Sequence, residues 1–109
     1  MDGNIVAFRQ KPAYKLPYRE SEELEDWAFK ARSGQSTVYF SGNLAVDREH
    51  VDNPALLADI NAINEIAACA WELYRRGVVE LVQERVREDF YRYHAVRTSK
   101  RLVRRTMAA

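Results

Sequence analysis

Cys69, His50 and His94 are the residues of this chain best suited to hold a metal ion, and their spacing argues against it. Zinc and iron sites draw ligands from short recurring patterns such as C-x-x-C or H-x-x-x-H, and neither occurs here. The run Asp47-Arg48-Glu49-His50-Val51-Asp52 gathers three acids around an imidazole, the raw material of acid–base chemistry. Such chemistry needs a pocket and a perturbed pKa, which a polar loop does not offer. With four glycines in all, the chain has no phosphate-binding glycine loop and no nucleophile elbow. The expectation is therefore a non-enzymatic protein with no metal and no cofactor.

The chemistry that remains is cationic. Arg85, Arg87, Arg92 and Arg97 surround a predicted hairpin, and Lys100, Arg101, Arg104 and Arg105 form a basic C-terminal arm. On a helix, Lys100 with Arg104 and Arg101 with Arg105 would be i,i+4 pairs, with Ser99 as a cap. Cations so grouped suit a phosphate backbone, because each neutralised phosphate releases a condensed counterion. These eight residues are the expected nucleic-acid-binding set.

A net charge of +1 conceals the segregation behind this reading. Arg9, Lys11, Lys15 and Arg19 against Asp2 give residues 1–19 a local +3. Ten acids against Lys30, Arg32 and Arg48 give residues 20–65 a local −7. Residues 97–109 carry five cations and no acid. The basic ends can equally fold back onto the acidic stretch Glu20–Asp26, since charge alone fixes no partner.

The elements that must position these groups follow from periodicity. Pro12 and Pro17 keep residues 1–19 out of a helix. Within them Ile5–Phe8 is a brief apolar run, and Tyr14, Leu16 and Tyr18 alternate as if to dock. Ser21 as N-cap, with Glu22, Glu23 and Glu25 after it, predicts a helix with the stripe Leu24, Trp27, Ala28 and Ala31, stopped by Gly34. Thr37–Phe40 reads as a strand and Ser41-Gly42-Asn43 as its end, with Leu44–Val46 extending it or opening a tight connection. Asp47–Asn53 reads as a loop or a single helical turn. Asn53 and Pro54 then open a long helix to Arg76, with Leu57, Ile60, Ile63, Ala67, Ala70 and Tyr74 on one stripe and Gly77 as its stop. Val78–Val86 and Phe90–Val96 form a hairpin turning at Arg87-Glu88-Asp89, with Val79 and Leu81 paired to Tyr93 and Ala95.

Helix, strand, long helix and hairpin make an α+β fold of winged-helix-like pattern. The expected divisions are a tail at 1–19, partly extended or disordered, a domain at 20–98 and a basic arm at 99–109. Such folds place two helices before the hairpin. The first must therefore fit within Asp47–Ala58, or the long helix must break near Asp59-Ile60-Asn61. A helix starting at Asn61 would present Asn61, Asn64, Glu65 and Ala68 to a groove, with no cation before Arg75, a poor set for reading base edges. Trp27 and Trp71 are expected in the core. Tyr91 and Tyr93 share a strand face that is expected to be core or rim.

Gly42-Asn43-Leu44-Ala45 with Asp47-Arg48, then Ala70-Trp71, Leu73-Tyr74, Gly77, Val79, Leu81-Val82-Gln83 and Arg85, then Tyr91, Tyr93 and Ala95-Val96-Arg97 make a pattern over roughly residues 24–97. In it the chain resembles short uncharacterised proteins of bacteriophage and prophage regions in proteobacteria. The resemblance implies a setting and no activity.

At 109 residues and 47% apolar the chain suits one domain with one core. One cysteine excludes an intrachain disulfide, so a cytoplasmic location is expected. No apolar run is long enough for a membrane span, and MDGNIVAFRQKP lacks the apolar stretch of a signal peptide. The leading expectation is a nucleic-acid-binding module. The alternative is a protein-interaction module, self-associating as a homodimer, that binds no nucleic acid.

Overall fold

Gly77 has φ 78°, and the chain reverses there from a long helix into a hairpin. Its amide donates to the Tyr74 carbonyl at 2.9 Å and that of Val78 to the Leu73 carbonyl at 3.0 Å. That paired bonding is a Schellman closure, which favours glycine at the left-handed position. Val78 and Leu73 are both buried, supplying the apolar contact that accompanies it. Here the sequence signal and the geometry coincide.

The structure is a computed structural model in which residues 14–44 and 57–103 are described. Its elements are α1 (Ser21–Lys30), β1 (Ser36–Gly42), α2 (Leu57–Arg75), β2 (Val79–Arg87) and β3 (Phe90–Arg97). The three strands form one antiparallel sheet in the order β1-β3-β2, so the last strand is central. The architecture is α+β, two helices and a three-stranded sheet among the described residues.

Several expected details shift. Glu20, not Ser21, is the N-cap of α1, because the Glu23 carboxylate reaches back to the amides of Arg19 at 2.8 Å and Glu20 at 3.2 Å. Those two backbone hydrogen bonds also hold the Glu23 carboxyl below its ordinary pKa. Helix α1 ends at Lys30, so Gly34 does not stop it. Gly34, with φ 92°, instead turns the chain into the sheet, donating to the Arg97 carbonyl at 2.8 Å.

Helix α2 runs unbroken from Leu57 to Arg75, so the break near Asp59-Ile60-Asn61 does not occur. The expected start at Asn53-Pro54 and most of the alternative helix at Asp47–Ala58 lie outside the described residues. The buried stripe of α2 is Ile60, Ile63, Ile66, Ala70 and Leu73. It is rotated from the predicted one, leaving Tyr74 42% exposed. Trp71 follows Ala70 by one residue, about 100° around the helix, and stands 56% exposed instead of entering the core.

In the hairpin Leu81 faces Ala95 as expected, whereas Val79 faces Arg97 and Tyr93 faces Gln83. The turn falls at Glu88-Asp89, with Asp89 at φ 59°, a conformation Asp tolerates better than most residues. Alternation along β3 buries Tyr93, Ala95 and Arg97 on the helix side, with Tyr91 partly buried at the rim. On β1 a bulge between Val38 and Phe40 lets Tyr39 and Phe40 both be buried. With Leu24, Ala28, Val78, Val79 and Leu102 these residues make one core, against which Trp27 is partly buried.

The flanking segments are tied to this unit. Lys15 pairs with Ser41 through both backbone bonds, 2.9 and 3.2 Å, on the outer edge of β1. The Tyr14 ring stacks on Phe40 and its hydroxyl donates to Asp59 at 2.6 Å, while the Tyr18 and Thr37 hydroxyls meet at 2.7 Å. Arg19 forms an ion pair with Asp59. The alternation of Tyr14, Leu16 and Tyr18 is thus the signature of a docked segment.

Depth of burial separates two leucines of similar sequence context. Leu73→Ala should lower stability by about 2–5 kcal/mol, as for other fully buried leucines, and Leu81→Ala by less, since Leu81 is only partly covered. Urea denaturation midpoints check this. Equal losses would contradict the burial difference.

Candidate anion-binding cleft at the hairpin

Beyond Leu81 the residues of β2 are all exposed, so the far half of the hairpin stands clear of the helices. A bulge between Arg85 and Arg87 changes the parity of the strand there. Arg85 faces Tyr91, on the helix side, while Arg87 faces Phe90, on the open side. Arg92 is two residues from Phe90 and shares that open face.

Cross-strand register then builds a row. Lys15 pairs with Ser41, Ser41 with Arg92, and Arg92 with Glu84. The small Ser41 lies between two long cationic side chains, and the Phe90–Arg87 pair forms the next row toward the hairpin tip. A small residue among long ones leaves a hollow. The result is a cleft of about 240 Å³ lined by Lys15, Ser41, Val86, Arg87, Phe90 and Arg92. The Arg87 guanidinium sits 4.1 Å from the centre of the Phe90 ring, a cation–π contact.

One acid borders this cluster. Glu84 accepts a hydrogen bond or ion pair from His94 at 2.8 Å and lies 3.6 Å from Arg92. The His94 contact, with smaller help from Arg92, holds the Glu84 carboxyl below its ordinary pKa, so it stays ionised. Two of the three cations in the cleft, Lys15 and Arg87, have no ion pair among the described residues. Chemically the cleft suits an anion beside a flat ring.

The eight expected cations do not form one surface. Arg87 and Arg92 meet in the cleft, with Arg85 exposed on the helix side of the same hairpin. Arg97 is at the other end of β3, about 20 Å away at the rise of an extended strand, and is only 8% exposed. Its Nε donates to the Ala28 carbonyl at 2.6 Å, and its Nη1 to those of Thr98 at 2.8 Å and Lys100 at 2.7 Å. Arg97 is therefore a buried structural residue and no part of a phosphate-facing set. Its parity with Tyr93 and Ala95 is the sequence signal that would have shown this.

Lys100 lays its side chain along Gly77, and Arg101 lines a shallow hollow with Phe29, Leu102 and Val103. Arg104 and Arg105 lie outside the described residues. The root of the arm runs beside α1, where Arg76 donates to the Val103 carbonyl at 3.1 Å and approaches Glu25 at 3.8 Å. Lys15 and Ser41 escaped the sequence reading, because only the long-range pairing of the tail brings them to the hairpin.

His50 lies outside the described residues, and His94 and Cys69 do not converge. Among the described residues no group of three His, Cys, Asp or Glu side chains could hold a metal ion, and no helix is long and apolar enough to cross a membrane. Cys69 lies against the Ser21 carbonyl at 3.6 Å, where burial, reinforced by Glu25, Glu65 and Glu22, pushes its thiol up to about 11. No protein-family model, curated protein or solved structure matches the chain.

Two outcomes follow from these placements. Arg97→Lys should destabilise the fold by about 2–3 kcal/mol, because an ammonium cannot span the carbonyls that the guanidinium joins. A thermal midpoint equal to that of the native chain would refute this. Cys69 should react with iodoacetamide at pH 8 roughly a hundredfold more slowly than the unfolded chain, the deficit in thiolate that its raised pKa implies. Equal rates would place the thiol in the open.

Proposed function

We propose that this chain is a non-enzymatic, winged-helix-like module that binds nucleic acid through its phosphate backbone, in a cytoplasmic phage or prophage setting. The observation that carries the reading is the convergence of Lys15, Arg87 and Arg92 on one cleft of the hairpin. The strand order β1-β3-β2, with the hairpin directly after a long helix, supports the winged-helix description. In that description the hairpin is the wing and α2 the recognition helix.

The exposed side of α2 argues that the wing makes the contact. It presents Trp71, Glu72, Tyr74 and Arg75, and Arg75 is paired to Glu72 at 3.0 Å. Base-edge reading by such a helix has little to work with. Affinity would then come mostly from charge, with weak sequence preference and steep salt dependence.

A second reading, a protein-interaction module or homodimer, is favoured by a different feature. Trp71 and Tyr74 are both exposed, with ring centres 5.2 Å apart. Exposed aromatic pairs are common anchors of protein interfaces.

Fluorescence anisotropy of labelled DNA across a salt series separates the two. The native chain should bind at low salt, and Lys15→Gln, Arg87→Gln and Arg92→Gln should each reduce the slope of log K against log salt by roughly 0.9 on duplex. A truncation testing the arm should begin after Val103, because Leu102 is a core residue. No binding at low salt would remove the nucleic-acid reading and leave the interaction module.

A further inference from the structure

Ser41 is 7% exposed and sits at the floor of the hairpin cleft. Its amide and carbonyl are both taken by Lys15. Its hydroxyl makes no hydrogen bond to any described residue. Buried hydroxyls are almost always paired, because an orphaned one forfeits its hydration without return. This one opens onto a hollow whose rim carries three cations.

We propose that the cleft holds one phosphodiester of a single-stranded nucleic acid, with the Ser41 hydroxyl as the donor at its floor. Lys15 and Arg92 flank the phosphate from the two neighbouring chain segments, and the Phe90–Arg87 pair receives an adjacent base. The proposal rests on the nucleic-acid reading above and specifies its ligand.

Each part has a chemical reason. A phosphate oxygen accepts from a hydroxyl and from two cations at once, satisfying the orphaned donor and the row Lys15–Ser41–Arg92 together. Arg92 is free to turn toward it, because its 3.6 Å contact with Glu84 is long and Glu84 keeps His94 at 2.8 Å. Bases stack on guanidinium planes as well as on rings, so Arg87 lying over Phe90 extends the stacking platform. A duplex keeps its bases paired and stacked inward, whereas a single strand can splay one onto this wall.

The test measures binding of a short oligothymidylate, a duplex and inorganic phosphate by the native chain and by Ser41→Ala, Phe90→Leu and, as a control away from the cleft, Arg75→Gln. Ser41→Ala should weaken oligothymidylate binding about tenfold, the effect of one hydrogen bond to a charged acceptor, and leave the salt slope unchanged because no charge is removed. Its thermal midpoint should be equal or higher, since it deletes an unpaired buried hydroxyl, so a loss of binding cannot be ascribed to misfolding. Phe90→Leu should weaken oligothymidylate binding about tenfold and spare the duplex. Arg75→Gln should do neither.

If Ser41→Ala and Phe90→Leu bind oligothymidylate as tightly as the native chain, the proposal is overturned while the nucleic-acid reading stands. Binding of inorganic phosphate that Ser41→Ala weakens, without binding of either DNA, overturns the nucleic-acid source and the reading beneath it. Binding of none of the three overturns both.

Discussion

The Arg97 guanidinium is buried among carbonyl oxygens, and three parts of the chain meet on it. Ala28 lies in the last turn of α1, where carbonyls have no partner within the helix and the helix dipole is negative. A cation there satisfies an orphaned acceptor and is itself stabilised by the dipole. Its other donors reach Thr98 and Lys100 just past β3, with a longer contact to Val78 just ahead of β2. The backbone of Arg97 pairs with Gly34 and Gln35 ahead of β1. One residue thus fixes where α1 ends, where two strands begin and where the arm departs. No acid among the described residues forms a salt bridge with it, so its charge is balanced by dipoles.

With that end of the sheet fixed, the opposite end is free to project. Thr98 reinforces the clamp, its hydroxyl meeting the Gly77 carbonyl at 2.6 Å and the Val78 carbonyl at 2.9 Å. The hairpin therefore leaves a rigid base, and its distal half needs no packing beneath it. Lys15, Arg87 and Arg92 stand on that projecting part because the core is complete without it. The position of the cleft is a consequence of where the core stops.

What was legible in the sequence was what local chemistry decides. Gly77 after Tyr74, Arg75 and Arg76 announced the end of α2, and the alternation Tyr91-Tyr93-Ala95 announced β3 and its buried side. The misjudged details were decided by long-range pairing or by choices between near-equivalent local options. Glu20 displaces Ser21 as N-cap because Glu23 is placed to reach back to it. Trp71 looked like a core residue by type, yet the stripe through Ile66, Ala70 and Leu73 turns it outward. Arg92 and Arg97 are the same residue type on the same strand. Five positions apart, they differ in parity, and parity assigns one to the open face and the other to the core. Lys15 and Ser41 became neighbours through a strand-edge pairing that no local pattern encodes.

The two surfaces that could meet a partner lie on opposite sides of the sheet. The cationic cleft opens on the side away from the helices, whereas Trp71 and Tyr74 belong to the helix layer and border a hollow with Tyr39, Ala68 and Leu81. An anion held by Lys15, Ser41 and Arg92 would not obstruct a protein docked on Trp71. Electrostatics separates them further. Cleft contacts weaken as salt screens or displaces them, whereas burial of two aromatic rings is little affected by moderate salt. A charge-reading hairpin and an apolar helix face can therefore coexist in one small domain, and nothing in the geometry forces a choice between them.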